Sequence, residues 1–127
     1  MKRIVRWKTF IALAAAIAIF GAGALIGAAN KPRSVVHVVT VKWKDGTTRE
    51  QIRAAMDGVH TMSEKFPGIK NVWLRPIKTQ GAMTHAFVME FESEQALKDY
   101  AGSEAQKEWY KVYIPIREQS ITFDITN

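Results

Sequence analysis

Thr84-His85-Ala86-Phe87-Val88-Met89-Glu90-Phe91-Glu92-Ser93 is the stretch that decides how this chain folds. Its side chains alternate. His85, Phe87, Met89 and Phe91 share one side of an extended strand, and Ala86, Val88 and Glu90 share the other. One side is bulky and the other mostly small, so helices are expected over the first and a flatter partner over the second. Ser93 then stops the strand. It is a good helix N-cap, with Glu94 where the helix dipole favours an acid.

Working outward, Ser34 to Lys44 forms a first strand. Val35, His37, Val39, Val41 and Trp43 lie on one side, and Val36, Val38, Thr40 and Lys42 on the other. Asp45-Gly46 marks a turn, and Thr48 with Gln51 makes a capping box for a helix. Ile52, Ala55, Met56, Val59, Met62 and Phe66 give that helix one apolar stripe, and Pro67-Gly68 ends it. Ile69 to Ile77 is a second strand, and Pro76 points to an edge position. After the Thr84–Ser93 junction a helix runs to Ala101. Gly102-Ser103 interrupts it, and a further piece continues from Glu104 to about Tyr113. Gln119 to Thr126 is the last strand, with Ile121, Phe123 and Ile125 alternating against Thr122 and Asp124.

The order is β-α-β-β-α-β. It predicts a ferredoxin-like α+β sandwich, a four-stranded antiparallel sheet with both helices on one face. The first and third strands are expected at the centre and parallel to each other. The helices are expected over the bulky sides, Ile121, Phe123 and Ile125 included. The opposite face would carry Val36, Val38, Thr40, Ala86, Val88 and Thr122, too apolar to leave in water. A symmetric homodimer, sheet on sheet, would close a barrel.

Composition narrows the rest. Of 18 basic residues, Lys2, Arg3, Arg6 and Lys8 sit at the N-terminus, leaving 14 against 12 acids elsewhere. No basic stripe marks the domain, so nucleic acid is not an expected partner. There is no cysteine, which excludes disulfides, thiolate metal sites and cysteine nucleophiles. From Thr9 to Asn30 there is no charge, and Phe10 to Phe20 is wholly apolar. A positive head, apolar middle and small-residue tail make residues 1–30 a signal peptide or a membrane anchor. A cut after Ala29 fits the first reading, and the length of the charge-free run fits the second. Either places residues 31–127 outside the cytoplasm, periplasmic or secreted, touching the membrane only through residues 1–30 if uncleaved.

The domain resembles the stress-responsive A/B barrel (Dabb) family of dimeric α+β barrels. The residues that carry the likeness are Val36-His37-Val38-Val39 with Lys42-Trp43-Lys44, Phe66-Pro67-Gly68-Ile69, Thr84-His85-Ala86-Phe87-Val88, Phe91-Glu92-Ser93, Tyr100 and Phe123-Asp124. A looser likeness is to the dimeric monooxygenases with the same barrel. The resemblance implies a pocket between sheet and helices. In plant polyketide cyclases of the family that pocket performs an aldol-type ring closure. Their pocket histidines resemble His37 and His85, and their tyrosine resembles Tyr100. The position of their catalytic base is Gln106 here, which cannot exchange a proton near neutral pH.

His37 and His85 share a side and, on parallel neighbours, would lie close together. They are the candidate floor of a pocket, with Tyr100 facing them. The plainer alternative is a hydrogen-bonded pair at the rim of a core. Val39, Val41, Phe87, Met89 and Trp109 complete the expected ligand-binding walls. No metal site or cofactor is implied: two histidines without a matched carboxylate are a thin ligand set. The expected role is a dimeric module that binds a small apolar molecule. A cyclase, lyase or cofactor-free monooxygenase using His37, His85 and Tyr100 is the rival.

Overall fold

The computed structural model describes residues 33–79 and 81–127 of the chain. The signal or anchor expected at residues 1–30 lies outside them. Among the described residues no helix is long and apolar enough to cross a membrane. Residues 33–127 make one compact unit with its own core.

The elements follow in the order β1 (Val35–Trp43), α1 (Arg49–Lys65), β2 (Ile69–Trp73), β3 (His85–Phe91), α2 (Glu94–Tyr100), α3 (Glu104–Tyr113) and β4 (Arg117–Ile125). Short polar side chains start each of these three helices. The Thr48 hydroxyl accepts from Gln51 N at 3.2 Å, while Gln51 Oε1 accepts from Thr48 N at 2.9 Å. Ser93 and Ser103 accept from Ala96 N and Gln106 N in the same way. Between α2 and α3 the chain turns at Gly102, whose φ of 79° is the left-handed conformation that side chains disfavour.

The sheet order is β2-β3-β1-β4, with β2 at an edge. All three pairings are antiparallel. This corrects the expectation that the two central strands run parallel. The α1 crossover brings β2 back in the direction of β1, and the β2–β3 reversal then turns β3 against both. Val39, Val41, Phe87, Met89 and Phe91 meet Ala55, Met56, Val59 and Met62 of α1 in the core. At Gly58 the first helix passes close to α3: an added Cβ would stand 2.8 Å from Trp109 Cδ1.

A second correction concerns β4. In register, Val38 faces Phe123, Thr40 faces Ile121 and Val36 faces Ile125. The bulky side chains of β4 therefore share the open face with Val36, Val38, Thr40, Ala86 and Val88. Ile121, Phe123 and Ile125 are 41%, 59% and 56% exposed, and Trp73 joins them from β2. Thr122, expected on the open face, lies opposite Val39 on the helix side instead, with Asp124 opposite His37. Bulk alone misleads here because the large side chains of an edge strand also serve the uncovered face.

Candidate functional site

A cavity of about 340 Å³ opens between the helix side of the sheet and α2–α3. Val39 and Phe87 rise into it from the two central strands, and Tyr100, Trp109, Tyr110 and Tyr113 come from the helices. The aromatic wall is tightly built. Trp109 stacks on Tyr113 at 4.3 Å between ring centroids, and Phe87 stands edge-on to Trp109 at 5.5 Å. The Trp109 indole is held by the Ala55 carbonyl at 2.8 Å.

Polar groups also line the cavity: His37, Gln106, Ser120, Thr122 and Asp124, with the cations Lys98 and Arg117. His37 Nδ1 lies 2.5 Å from Asp124 Oδ1, so the carboxylate orients the imidazole. The His37 ring is edge-on to Phe91 at 6.0 Å and to Tyr100 at 6.3 Å. Tyr100 is buried, and that burial raises its phenol far above the ordinary value. It therefore stays protonated at neutral pH and can act only as a neutral hydrogen-bonding group. Gln106 Oε1 accepts from Gly102 N at 2.7 Å, and its Nε2 donates to the Tyr110 hydroxyl at 3.1 Å. Both ends of that amide are engaged in holding the α2–α3 turn to the cavity wall. The Tyr113 hydroxyl is buried and makes no hydrogen bond of good geometry among the described residues, although the Ser120 and Arg117 side chains stand near enough to favour its ionised form. Burial raises its pKa too.

Of the residues expected at the pocket, His37, Val39, Phe87, Tyr100 and Trp109 line this cavity. Val41 and Met89 do not: both are fully buried in the core beneath it. His85 does not either. The register sets His85 opposite Val41 and His37 opposite Met89. Four residues along a strand separate the two histidines by about 13 Å. The expected pair is thus undone by strand direction. His85 Nδ1 instead accepts from the Trp43 indole at 2.8 Å, and burial lowers its pKa. Tyr110 and Tyr113, whose spacing allows either packing or an aromatic pocket wall, do line the cavity, and Asp124 is the polar member that the sequence reading misses. The signal for Asp124 was available in the alternation of β4, had its parity been assigned the other way. Among the described residues no group of three or more His, Cys, Asp or Glu is placed to hold a metal ion.

The family model described as the stress responsive A/B barrel domain matches residues 35–127. By sequence, no curated protein matches the chain. Among solved structures, an Arabidopsis thaliana protein is 22% identical with a TM-score of 0.66, covering 73% of this chain and 94% of its own. The hydroxynitrile lyase of Passiflora edulis is 19% identical with a TM-score of 0.68, over 76% of this chain and 94% of the lyase. A dimeric ferredoxin-like protein of Thermobifida fusca is 14% identical with a TM-score of 0.63, over 74% of this chain and 91% of its own. At these identities the likeness is one of fold.

Proposed function

The chain belongs to the stress responsive A/B barrel (Dabb) family, and on that premise we propose that its folded unit is a dimeric module binding a small, largely apolar, uncharged molecule between sheet and helices. The observation that carries this reading is the cavity itself. At about 340 Å³ it falls within the ~300–1,000 Å³ range of small-molecule sites. Its inner walls are aromatic and aliphatic; its polar groups are His37 with Asp124, the Tyr110–Gln106 pair, the Tyr113 hydroxyl and the Ser120 and Thr122 hydroxyls, with Lys98 and Arg117 also in the lining. A ligand that offers Tyr113 an acceptor would satisfy a buried donor, which in a low-dielectric site is worth more than in water.

Dimerisation rests on the open face. Val38, Val88, Ile121, Phe123 and Ile125 form a continuous apolar surface with no cover within the unit. The Thermobifida relative, of the same fold, is described as dimeric. The segment 1–30 supports placement of this module outside the cytoplasm, by export or by anchorage.

Calorimetric titration of residues 33–127 with 2-naphthol, an uncharged probe of suitable size, tests the binding reading. Binding is expected, and Thr122→Trp, which fills the cavity from β4, should weaken it at least tenfold. Affinity unchanged by that filling, or no binding to 2-naphthol and a panel of similar neutral aromatics, would sink the reading.

One observation favours a catalytic alternative. A carboxylate-oriented imidazole beside an apolar cavity is a suitable general base, and a relative of the same fold is a hydroxynitrile lyase. On this reading His37 takes the proton, Asp124 orients it and protonated Tyr100 polarises the substrate. His85 has no part, and Gln106 serves as scaffold. Cyanide release from mandelonitrile that falls to background in His37→Gln supports this alternative; release at the same rate in the variant removes it.

A further inference from the structure

A second depression, of about 750 Å³, lies where the start of α1 meets the segment joining β2 to β3. Its floor is apolar: Ile52 and Met56 from the helix, Leu74 and Pro76 from the segment. Around that floor stand four cations, Arg49 and Arg53 one turn apart on α1, and Arg75 and Lys78 opposite them. Among the described residues no carboxylate lines the cleft.

What sets the cleft apart is that four cations gather around one concavity; Arg33, Lys44, Lys65, Lys98 and Arg117 also make no ion pair among the described residues, but none of them lines the cleft. Lys42, Lys70, Lys107 and Lys111 each pair with a glutamate. Among the described residues none of the four cleft cations has such a partner. Gathered around one concavity they repel each other, and an anion between them relieves that repulsion. His85 forms part of the wall. The Trp43 indole can only donate, so His85 Nδ1 must accept, and the neutral ring carries its proton on Nε2. That leaves one further N–H donor, with no partner among the described residues. Ile77, at the rim, is fully exposed.

We propose that this cleft is a distinct binding site for an amphipathic carboxylate, a single acyl chain lying along Ile52, Leu74 and Ile77 with its head group held by Arg49 and Arg53. Planar guanidinium groups match a carboxylate in bidentate fashion. The apolar floor distinguishes such a ligand from inorganic phosphate, which has nothing to place on it. The concave form distinguishes it from a flat membrane surface.

Calorimetric titration of residues 33–127 with decanoate, 1-decanol and inorganic phosphate tests this. Decanoate should bind at least about tenfold more tightly than decanol, and phosphate should not compete with it. Arg49→Gln combined with Arg53→Gln should weaken decanoate at least about tenfold, while Arg49→Lys combined with Arg53→Lys recovers part of the loss. Circular dichroism checks that each variant is folded. Thr122→Trp, which blocks the other cavity, should leave decanoate affinity within about twofold, so the two sites succeed or fail separately. Equal binding of decanol and decanoate overturns the proposal. So does loss of decanoate binding in Thr122→Trp, or no effect of the paired glutamines. Sedimentation with phosphatidylglycerol vesicles in the absence of decanoate binding also overturns it and assigns the cations to a membrane surface.

Discussion

The two faces of one sheet meet different fates. On the helix side Phe87, Met89, Phe91 and Val41 are buried within the chain itself, sealed by α1 and α3. On the other side Val38, Val88, Ile121 and Phe123 are as apolar in character yet have no cover of their own. The first face is finished by intramolecular packing, whose strength does not depend on concentration. In the proposed dimer the second is finished by another copy, so its contribution would follow mass action. A ligand cavity belongs naturally to the first face, where the walls are held rigidly whatever the assembly state.

The sharpest way to break this contrast is Phe87→Ala. The side chain is buried, edge-on to both Trp109 and Tyr113. Its removal should cost about 3–5 kcal/mol of unfolding free energy in chemical denaturation, the same at every protein concentration. Next in size is Val38→Glu, which puts a carboxylate on the open face. It should weaken self-association at least a hundredfold, about 3 kcal/mol, in analytical ultracentrifugation, and leave the monomer folded. Wild-type melting temperature should rise with protein concentration, and that of the variant should not. A wild-type unit that sediments as a monomer at micromolar concentration would remove the argument for the dimer. Phe123→Ala, on the same face at 59% exposure, should cost association about tenfold, near 1.4 kcal/mol.

The smallest effect concerns His85. Burial lowers its pKa in the folded state, and the Trp43 indole opposes a proton on Nδ1. The unfolded chain accepts a proton that the folded chain resists. Its contribution to stability is therefore intact above the unfolded value of about 6.5 and declines as pH falls through the folded value. His85→Asn keeps an acceptor facing Trp43 but cannot take up that proton. Thermal melts between about pH 7.5 and pH 5 should show a shallower decline in the variant than in the wild type. An identical slope would show that His85 is not the group responsible.

Much of this was legible beforehand, because it is written in local chemistry. Thr48, Ser93 and Ser103 announce the helix starts, and each does accept the capping hydrogen bond. β2 does lie at an edge, although it ends at Trp73 and not at Ile77, so Pro76 falls beyond it, and the alternation of β1 and β3 names the core-facing side chains. The errors arose where two elements had to be set against each other. The parity of β4 could not be assigned from bulk because both faces of this sheet are apolar, so large residues do not mark the helix side. The proposed pairing of His37 with His85 required the relative direction of two strands joined through a crossover and a reversal. It failed on that direction, although each histidine does lie on the helix side.

Alternation, caps and turn residues act over a few neighbours, and from them alone came the element order, the ferredoxin-like class and the inward sets of β1 and β3. Register and strand direction join residues tens of positions apart. Only the folded structure could put Asp124 beside His37, give His85 to Trp43, and bring Arg49 and Arg53 to face Arg75 and Lys78 across one cleft. Which polar groups share a site is decided by packing between elements, and no local periodicity carries that information.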